Sequence, residues 1–249
     1  MIHELHNEDC LEGMRRLADG SVDMILTDLP YGITNCDFDV RIPFEPMWAQ
    51  FKRVTKRNAA IALFSQMPFG AELIMSNRKM FRYEWIWEKN FSAGFLNAHK
   101  MPLRCHENIL VFYQQLPTYN PQFIKAKPYK MTKNFISRSQ NYGRHEPVTI
   151  NDTIGRRFPN DVIYCERISN SVEATHPQQK PVDLLEYLIR TYTNEGETVL
   201  DATMGSGSTG VAAINTGRNF VGFELEQKFF DIARKRIDEA VALKAQSLF

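Results

Sequence analysis

Val199-Leu200-Asp201-Ala202-Thr203-Met204-Gly205-Ser206-Gly207-Ser208-Thr209 reads as a buried strand, a glycine-bearing turn and the start of a helix. Gly205 and Gly207 let a ligand approach the backbone where a Cβ would collide. The next strand, over residues 219–223, runs into Glu224, which lies 17 residues after Gly207. An acid near that separation, after the second strand of a nucleotide-binding unit, accepts hydrogen bonds from ribose hydroxyls. An adenosine-bearing ligand is implied. The turn lacks the Gly-Lys-Ser/Thr ending of a phosphate-binding loop. Asp201 at the strand end is awkward beside a pyrophosphate but natural beside a cation, and a sulfonium carrying an α-amino group suits it. The competing readings are a strand-end cap for Asp201 and an exposed helix-start acid for Glu224.

Outward from this unit the chain alternates strands with helices. Strands are expected over residues 2–6, 22–27, 59–64, 82–87, 108–113, 198–201 and 219–223. The run over 59–64 is continuously apolar, as in a strand covered on both faces. Phe44, Met47, Trp48, Phe51 and Val54 recur at helical spacing, which predicts a helix over 44–54. Further helices are expected after Asp9 as N-cap, within 65–77, from Lys180 onward, over 208–216 and from 227 to near the end of the chain. Residues 90–105 have no clean period and read as loop, and 114–175 read as an insertion with frequent turn residues. The fold class this predicts is α/β: a Rossmann-like, doubly wound, mostly parallel sheet of seven strands.

The strand over 22–27 leads into Asp28-Leu29-Pro30-Tyr31, which therefore sits at the sheet edge where open α/β folds bind ligands. A residue before proline is extended, so Leu29 presents its carbonyl between a carboxylate and an aromatic ring. Two acceptors and a stacking face suit a flat heterocycle bearing an amino group. The plain alternative is a strand leaving the sheet through an X-Pro turn.

Charge is unevenly distributed. From His99 to His145 there are eight bases (Lys100, Arg104, Lys125, Lys127, Lys130, Lys133, Arg138, Arg144) against one acid, Glu107, whereas the rest of the chain carries 22 bases and 28 acids. Tyr113, Tyr119, Phe123, Tyr129, Phe135 and Tyr142 are interleaved with the bases. Bases with aromatics suit phosphate contacts and base stacking, against the alternative of a solvated loop. Cys10, Cys36, Cys105 and Cys165 have no C-x-x-C spacing and read as free thiols. His99, His106, His145 and His176 lack ligand spacing, so no metal site is suggested. No apolar run is long enough to span a membrane. Met1-Ile2-His3-Glu4 has no export-signal pattern, and a cytoplasmic location is expected.

Asp28-Leu29-Pro30-Tyr31 resembles the catalytic D/N/S-P-P-Y/F motif of the DNA amino-methyltransferases, and residues 201–209 resemble their S-adenosylmethionine loop. With the catalytic motif first and the cofactor loop last, the order is similar to the β group of that family, a circular permutation of the usual arrangement. Asn7-Glu8-Asp9-Cys10 resembles the segment whose acid contacts the cofactor adenine. His176-Pro177-Gln178-Gln179-Lys180-Pro181 resembles the H-P-x-Q-K-P segment flanking the methionine moiety, and Trp87-Glu88-Lys89-Asn90 a recurrent strand-end motif. Leu29 departs from the commoner first proline, but the family's acceptor there is a backbone carbonyl, which leucine retains.

The resemblance implies one S-adenosylmethionine-dependent methyltransferase domain over residues 1–249 with a target-recognition region inserted at 113–175. It implies methyl transfer to adenine N6, because cytosine-N4 enzymes more often carry serine where this chain has Asp28. Asp28, Leu29, Pro30 and Tyr31 are the candidate catalytic residues. Candidates for holding the cofactor are Asp9, Asp28, Lys180, Asp201, Thr203, Gly205, Gly207, Ser208, Thr209 and Glu224. Lys89, Arg104, Lys125, Lys127, Lys130, Lys133, Arg138 and Arg144 are candidates for DNA contact, and Asn134, Gln140 and Asn141 for reading base edges. The implied partner is DNA, as duplex; a homodimer is compatible, and any restriction endonuclease would be a separate chain. Cytosine-N4 methylation, methylation of RNA or another planar nitrogen, and an inert nucleic-acid-binding module are the rival readings.

Overall fold

The computed structural model describes residues 2–32, 39–133, 137–139, 143–145, 148–166 and 179–246. In chain order the strands and α-helices are β1 (His3–Asn7), α1 (Cys10–Met14), β2 (Val22–Thr27), α2 (Phe44–Val54), β3 (Thr55–Ser65), α3 (Phe69–Ser76), β4 (Phe81–Ala93), β5 (Arg104–Phe112), β6 (Ile124–Lys125), β7 (Tyr129–Lys133), β8 (Ser137–Ser139), β9 (Gly143–His145), β10 (Val148–Asp152), β11 (Arg156–Arg157), β12 (Val162–Tyr164), α4 (Val182–Tyr192), β13 (Thr198–Asp201), α5 (Ser208–Asn215), β14 (Asn219–Glu224) and α6 (Gln227–Gln246). The chain divides into two compact units, residues 1–120 with 161–249, and Pro121–Asn160.

The larger unit is built on one sheet in the order β1-β14-β13-β2-β3-β5-β4-β12. Five neighbour pairs are parallel, and β5 runs antiparallel to both β3 and β4. Eight strands replace the expected seven. The addition, Val162–Tyr164, pairs with β4 through Val162↔Ile86, and three half-exposed residues carry too little alternation to announce a strand.

Side chains alternate across the sheet into two cores. Met24, Leu26, Ala60, Ala62, Phe64, Ile109 and Val111 meet α4, α5 and α6 on one face. Ile25, Ile61, Leu63, Leu110 and Phe112 meet α1, α2 and α3 on the other. A sheet apolar on both faces needs helices on both, which is why its strands read as unbroken hydrophobic runs. From β13 the chain winds outward through α5 to β14, and from β2 outward through α2 to β3. The winding reverses between β13 and β2, paired through Leu200↔Ile25, so the loops after these two strands open side by side at the sheet's carboxyl edge. That reversal is where doubly wound folds bind ligands.

Residues 90–105, expected as loop, are partly strand: β4 continues to Ala93 and pairs with Arg104 at the start of β5. This extension lies beyond the buried sheet, where backbone pairing satisfies the chain without imposing a hydrophobic period. The smaller unit is likewise β structure, three antiparallel ladders nested one inside the next, β6 with β11, β7 with β10 and β8 with β9. The Asp152 carboxylate holds the β10–β11 corner, accepting from the Gly155 and Arg156 amides at 2.8 Å and from Arg157 at 2.6 Å.

Candidate active site at the strand reversal

The loops after β2 and β13 line one cavity of about 360 Å³. Asp28, Pro30, Asp201, Thr203, Gly205, Ser208, Thr209 and Glu224 line it, joined by Asp9 from the turn before α1 and by Lys180 ahead of α4. The fold thus gathers into one chamber residues that the sequence separates by as much as 215 positions.

The two loops are tied together by hydrogen bonds. Buried Asp201 accepts from the Thr27 hydroxyl at 2.7 Å and the Thr203 amide at 3.1 Å, and also from the Thr209 side chain. The Thr203 hydroxyl donates to the Asp28 carbonyl at 2.9 Å. Asp201 is therefore a strand-end cap and a cavity acid at once. Burial pushes its carboxyl up to about 6, against the hydrogen bonds that favour its charge. Glu224 accepts from the Gly205 amide at 2.9 Å and the Glu226 amide at 2.9 Å. Gly205, at φ +53, turns its amide toward that carboxylate. Gly207 serves packing rather than ligand approach. At φ +76, a Cβ there would stand 2.9 Å from the Ala233 Cα of α6, and Gly207 does not line the cavity. Asp9 caps α1, accepting from Leu11 and Glu12 amides, and it also lines the cavity.

In the Asp28-Leu29-Pro30-Tyr31 turn, Leu29 is buried in the core beneath the sheet, so its side chain anchors the turn while its carbonyl takes no hydrogen bond among the described residues. Tyr31 stacks on Phe69 at 4.9 Å and donates its hydroxyl to Asp28 Oδ1 at 2.8 Å. Arg41 fixes the turn from outside, donating to the Tyr31 carbonyl at 2.6 Å.

Behind Asp28 lies a buried charge cluster. Lys180 Nζ donates to Asp28 Oδ2 and stands 3.5 Å from Glu107 Oε2. Lys89 donates to Glu107 Oε1, as does Gln66 at 3.3 Å. Glu107 Oε2 is buried and receives no hydrogen bond among the described residues. Burial, reinforced by Glu107, holds the Asp28 carboxyl above the usual carboxylate range in spite of Lys180. Burial acts against the Lys180 ammonium too, but Asp28 and Glu107 outweigh it and raise its pKa. Glu107 goes the other way: burial is overcome by Lys180 and Lys89, and its pKa is lowered.

Two expectations change here. Lys180, expected beside the cofactor's methionine, lines the cavity and directs its ammonium to the Asp28 carboxylate. Lys89, expected to contact DNA, has a side chain only 7% exposed and paired with Glu107, its ammonium also over the Trp87 ring. A charge neutralised inside the protein cannot displace counterions from phosphates. Arg104 is exposed, as are Lys125, Lys127 and Lys130 in the smaller unit. Lys133, Arg138 and Arg144 have side chains outside the described residues, and so do His176, Pro177, Gln178, Asn134, Gln140, Asn141 and Cys36. Glu107, Gln66, Thr27 and Arg41 were not anticipated. Only Glu107 carried a signal, as the single acid in a basic stretch, placed directly before the expected strand that starts at Asn108.

A family model described as DNA methylase matches residues 22–235. The chain is 26% identical to the type II methyltransferase M.HpaI of Haemophilus parainfluenzae, over 92% of its own length and 72% of the relative's. It is 26% identical to the DNA adenine methyltransferase YhdJ of Escherichia coli, over 96% and 84%. Among solved structures, its fold matches the M1.HpyAVI complex with S-adenosylmethionine at a TM-score of 0.64 and 24% identity, covering 95% of this chain and 100% of that one. It matches the cytosine-N4-specific PvuII DNA methyltransferase at 0.68 and 12% identity, covering 97% and 92%. With the match spanning both loops of the cavity, the chain belongs to the DNA methylase family.

Proposed function

We propose that the chain is a DNA methyltransferase specific for adenine N6, using S-adenosylmethionine, with Asp28, Leu29, Pro30 and Tyr31 as its catalytic turn. The observation that carries this is the one cavity that Asp28 lines together with Gly205 and Glu224. The donor set suits the cofactor: the acids Asp9, Asp201 and Glu224 match a cationic, hydroxyl-bearing ligand, and no basic phosphate loop is present. When bound, S-adenosylmethionine supplies a methyl group on a positively charged sulfur.

The residues of the chain account for the rest. Adenine's amino lone pair is delocalised into its ring, and in a duplex the base is stacked and paired, so it must be flipped out at a cost of a few kcal/mol. Tyr31, itself backed by Phe69, offers the stacking face. Asp28 and the Leu29 carbonyl accept the two N6 hydrogens, which returns electron density to the nitrogen. In the resting protein both Asp28 oxygens are engaged, Oδ1 by Tyr31 and Oδ2 by Lys180. Glu107 Oε2 is the acceptor to which Lys180 moves as the amine arrives. The proton released after transfer goes to Asp28, whose raised pKa favours accepting it. Holding the two reactants in line supplies most of the acceleration.

Aspartate in the catalytic turn and the likeness to an adenine methyltransferase across nearly the whole chain support adenine. Cytosine N4 fits the same acceptors and is the second reading, favoured by the fold match to a cytosine-N4 enzyme. Transfer of labelled methyl to duplex DNA, followed by digestion and mass spectrometry, tests the proposal. Label in N6-methyladenine is the expected result; label in N4-methylcytosine overturns the base assignment.

A further inference from the structure

The extended β4–β5 hairpin is an arm at the catalytic edge. Ser65 at the end of β3 is level with Asn108, so Arg104 to Glu107 run on beyond β3, and β4 runs free of β12 beyond Glu88, the last residue that β12 pairs. By its shorter strand, four residues at about 3.3 Å each, the arm projects about 13 Å past the end of β3 before its tip begins. Its root is joined to the active site, where Lys89 and Glu107 meet Lys180 and Arg104 donates to Gln66 at 2.9 Å.

The tip is apolar and uncovered. Gly94, at φ +91, starts a short helical turn over Phe95–Asn97, which leaves Phe95 80%, Leu96 97% and Met101 55% exposed. Large apolar side chains presented this fully on a protruding turn mark an interaction site. From Asn90 to His106 there are two bases, Lys100 and Arg104, two histidines and no acid, so the surface around the tip favours a polyanion. A second copy of the chain joined here would close the edge through which a target base must enter, whereas a duplex lying across that edge meets the tip directly.

We propose that Phe95 and Leu96 form a wedge that enters the DNA stack beside the target and holds the extruded nucleotide out, with Lys100 and Arg104 on the flanking phosphates. Proteins that kink or open a duplex insert side chains of this type between base steps. The inference rests on the DNA methyltransferase reading of the adjoining cavity.

The test is a Phe95→Ala, Leu96→Ala double variant compared with wild type on three substrates: a duplex carrying the site that wild type methylates, the same duplex with the target base mispaired, and the single strand. Wild-type transfer to the duplex secures the function reading before the variant is judged. The expected result is a loss of about tenfold or more on the paired duplex, with rates on the mispaired and single-stranded substrates within about twofold of wild type, because little extrusion is needed there. Equal losses on all three, or no loss on the duplex, overturn the wedge. So does a wild-type oligomer that dissociates in the variant by sedimentation, which would make the tip a self-association surface.

Discussion

Two carboxylates and two ammonium groups converge at the Asp28 turn, where Lys180 and Lys89 hold the charge of Glu107, and Asp28 and Glu107 hold that of Lys180. Removing one member of a buried pair leaves an uncompensated ion and costs about 3–5 kcal/mol, so Glu107→Ala should lower stability by about 3 kcal/mol, read by urea unfolding. Glu107→Gln keeps the shape and separates chemistry from folding. Without the second acceptor charge, Lys180 stays on Asp28, and kcat should fall about tenfold with S-adenosylmethionine affinity within twofold of wild type. The pH profile gives a further discriminator. Activity needs ionised Asp28, whose pKa lies above the ordinary value because burial and Glu107 both raise it. Removing the Glu107 charge lowers that pKa, so the acid limb of kcat should move to lower pH in Glu107→Gln. A variant with unchanged kcat and an unmoved limb would sink the role assigned to Glu107.

At the scale of elements, the cofactor loop depends on Asp201. A carboxyl near 6 is ionised at neutral pH and protonates as pH falls through that value, so affinity for a cationic cofactor should drop several-fold between pH 7 and pH 5. Asp201→Asn should bind more weakly at pH 7 and show a shallower dependence, the remainder coming from Asp28 and Glu224, whose carboxyls burial also raises; equilibrium dialysis across that range decides it. This loop was legible because its requirements are local: β13 occupies residues 198–201 as expected, and α5 begins at Ser208. The same holds for α2, whose five apolar positions describe its buried stripe. The β4–β5 arm was not legible, since its strands pair outside the core and their side chains answer to no buried face. Nor was the Lys180–Asp28 contact, which joins positions 152 apart in sequence and exists only because α4 packs on the sheet near the end of β2.

Across the whole molecule, acids and exposed bases are unevenly placed. The acids Asp9, Asp28, Asp201 and Glu224 surround the cavity, and the bases of the 99–145 stretch that stay exposed include Arg104, Lys125, Lys127 and Lys130. Lys89 belongs to the first group by position although its sequence context suggested the second. The difference is measurable in salt. Each lysine that neutralises a phosphate contributes about 0.9 to the slope of log affinity against log salt concentration. Changing Lys125, Lys127 and Lys130 together to Gln should therefore flatten that slope by up to about 3 and weaken binding to all duplexes alike, while kcat at saturating DNA stays within about twofold. Lys89→Gln should do the reverse, leaving the slope unchanged and lowering kcat, because its partner is Glu107 and not a phosphate. A flattened slope in Lys89→Gln would return Lys89 to the DNA surface. An unchanged slope in the triple variant would mean that Lys125, Lys127 and Lys130 do not carry the phosphate contacts, leaving them to the other bases, Arg104 and Lys100 of the arm among them.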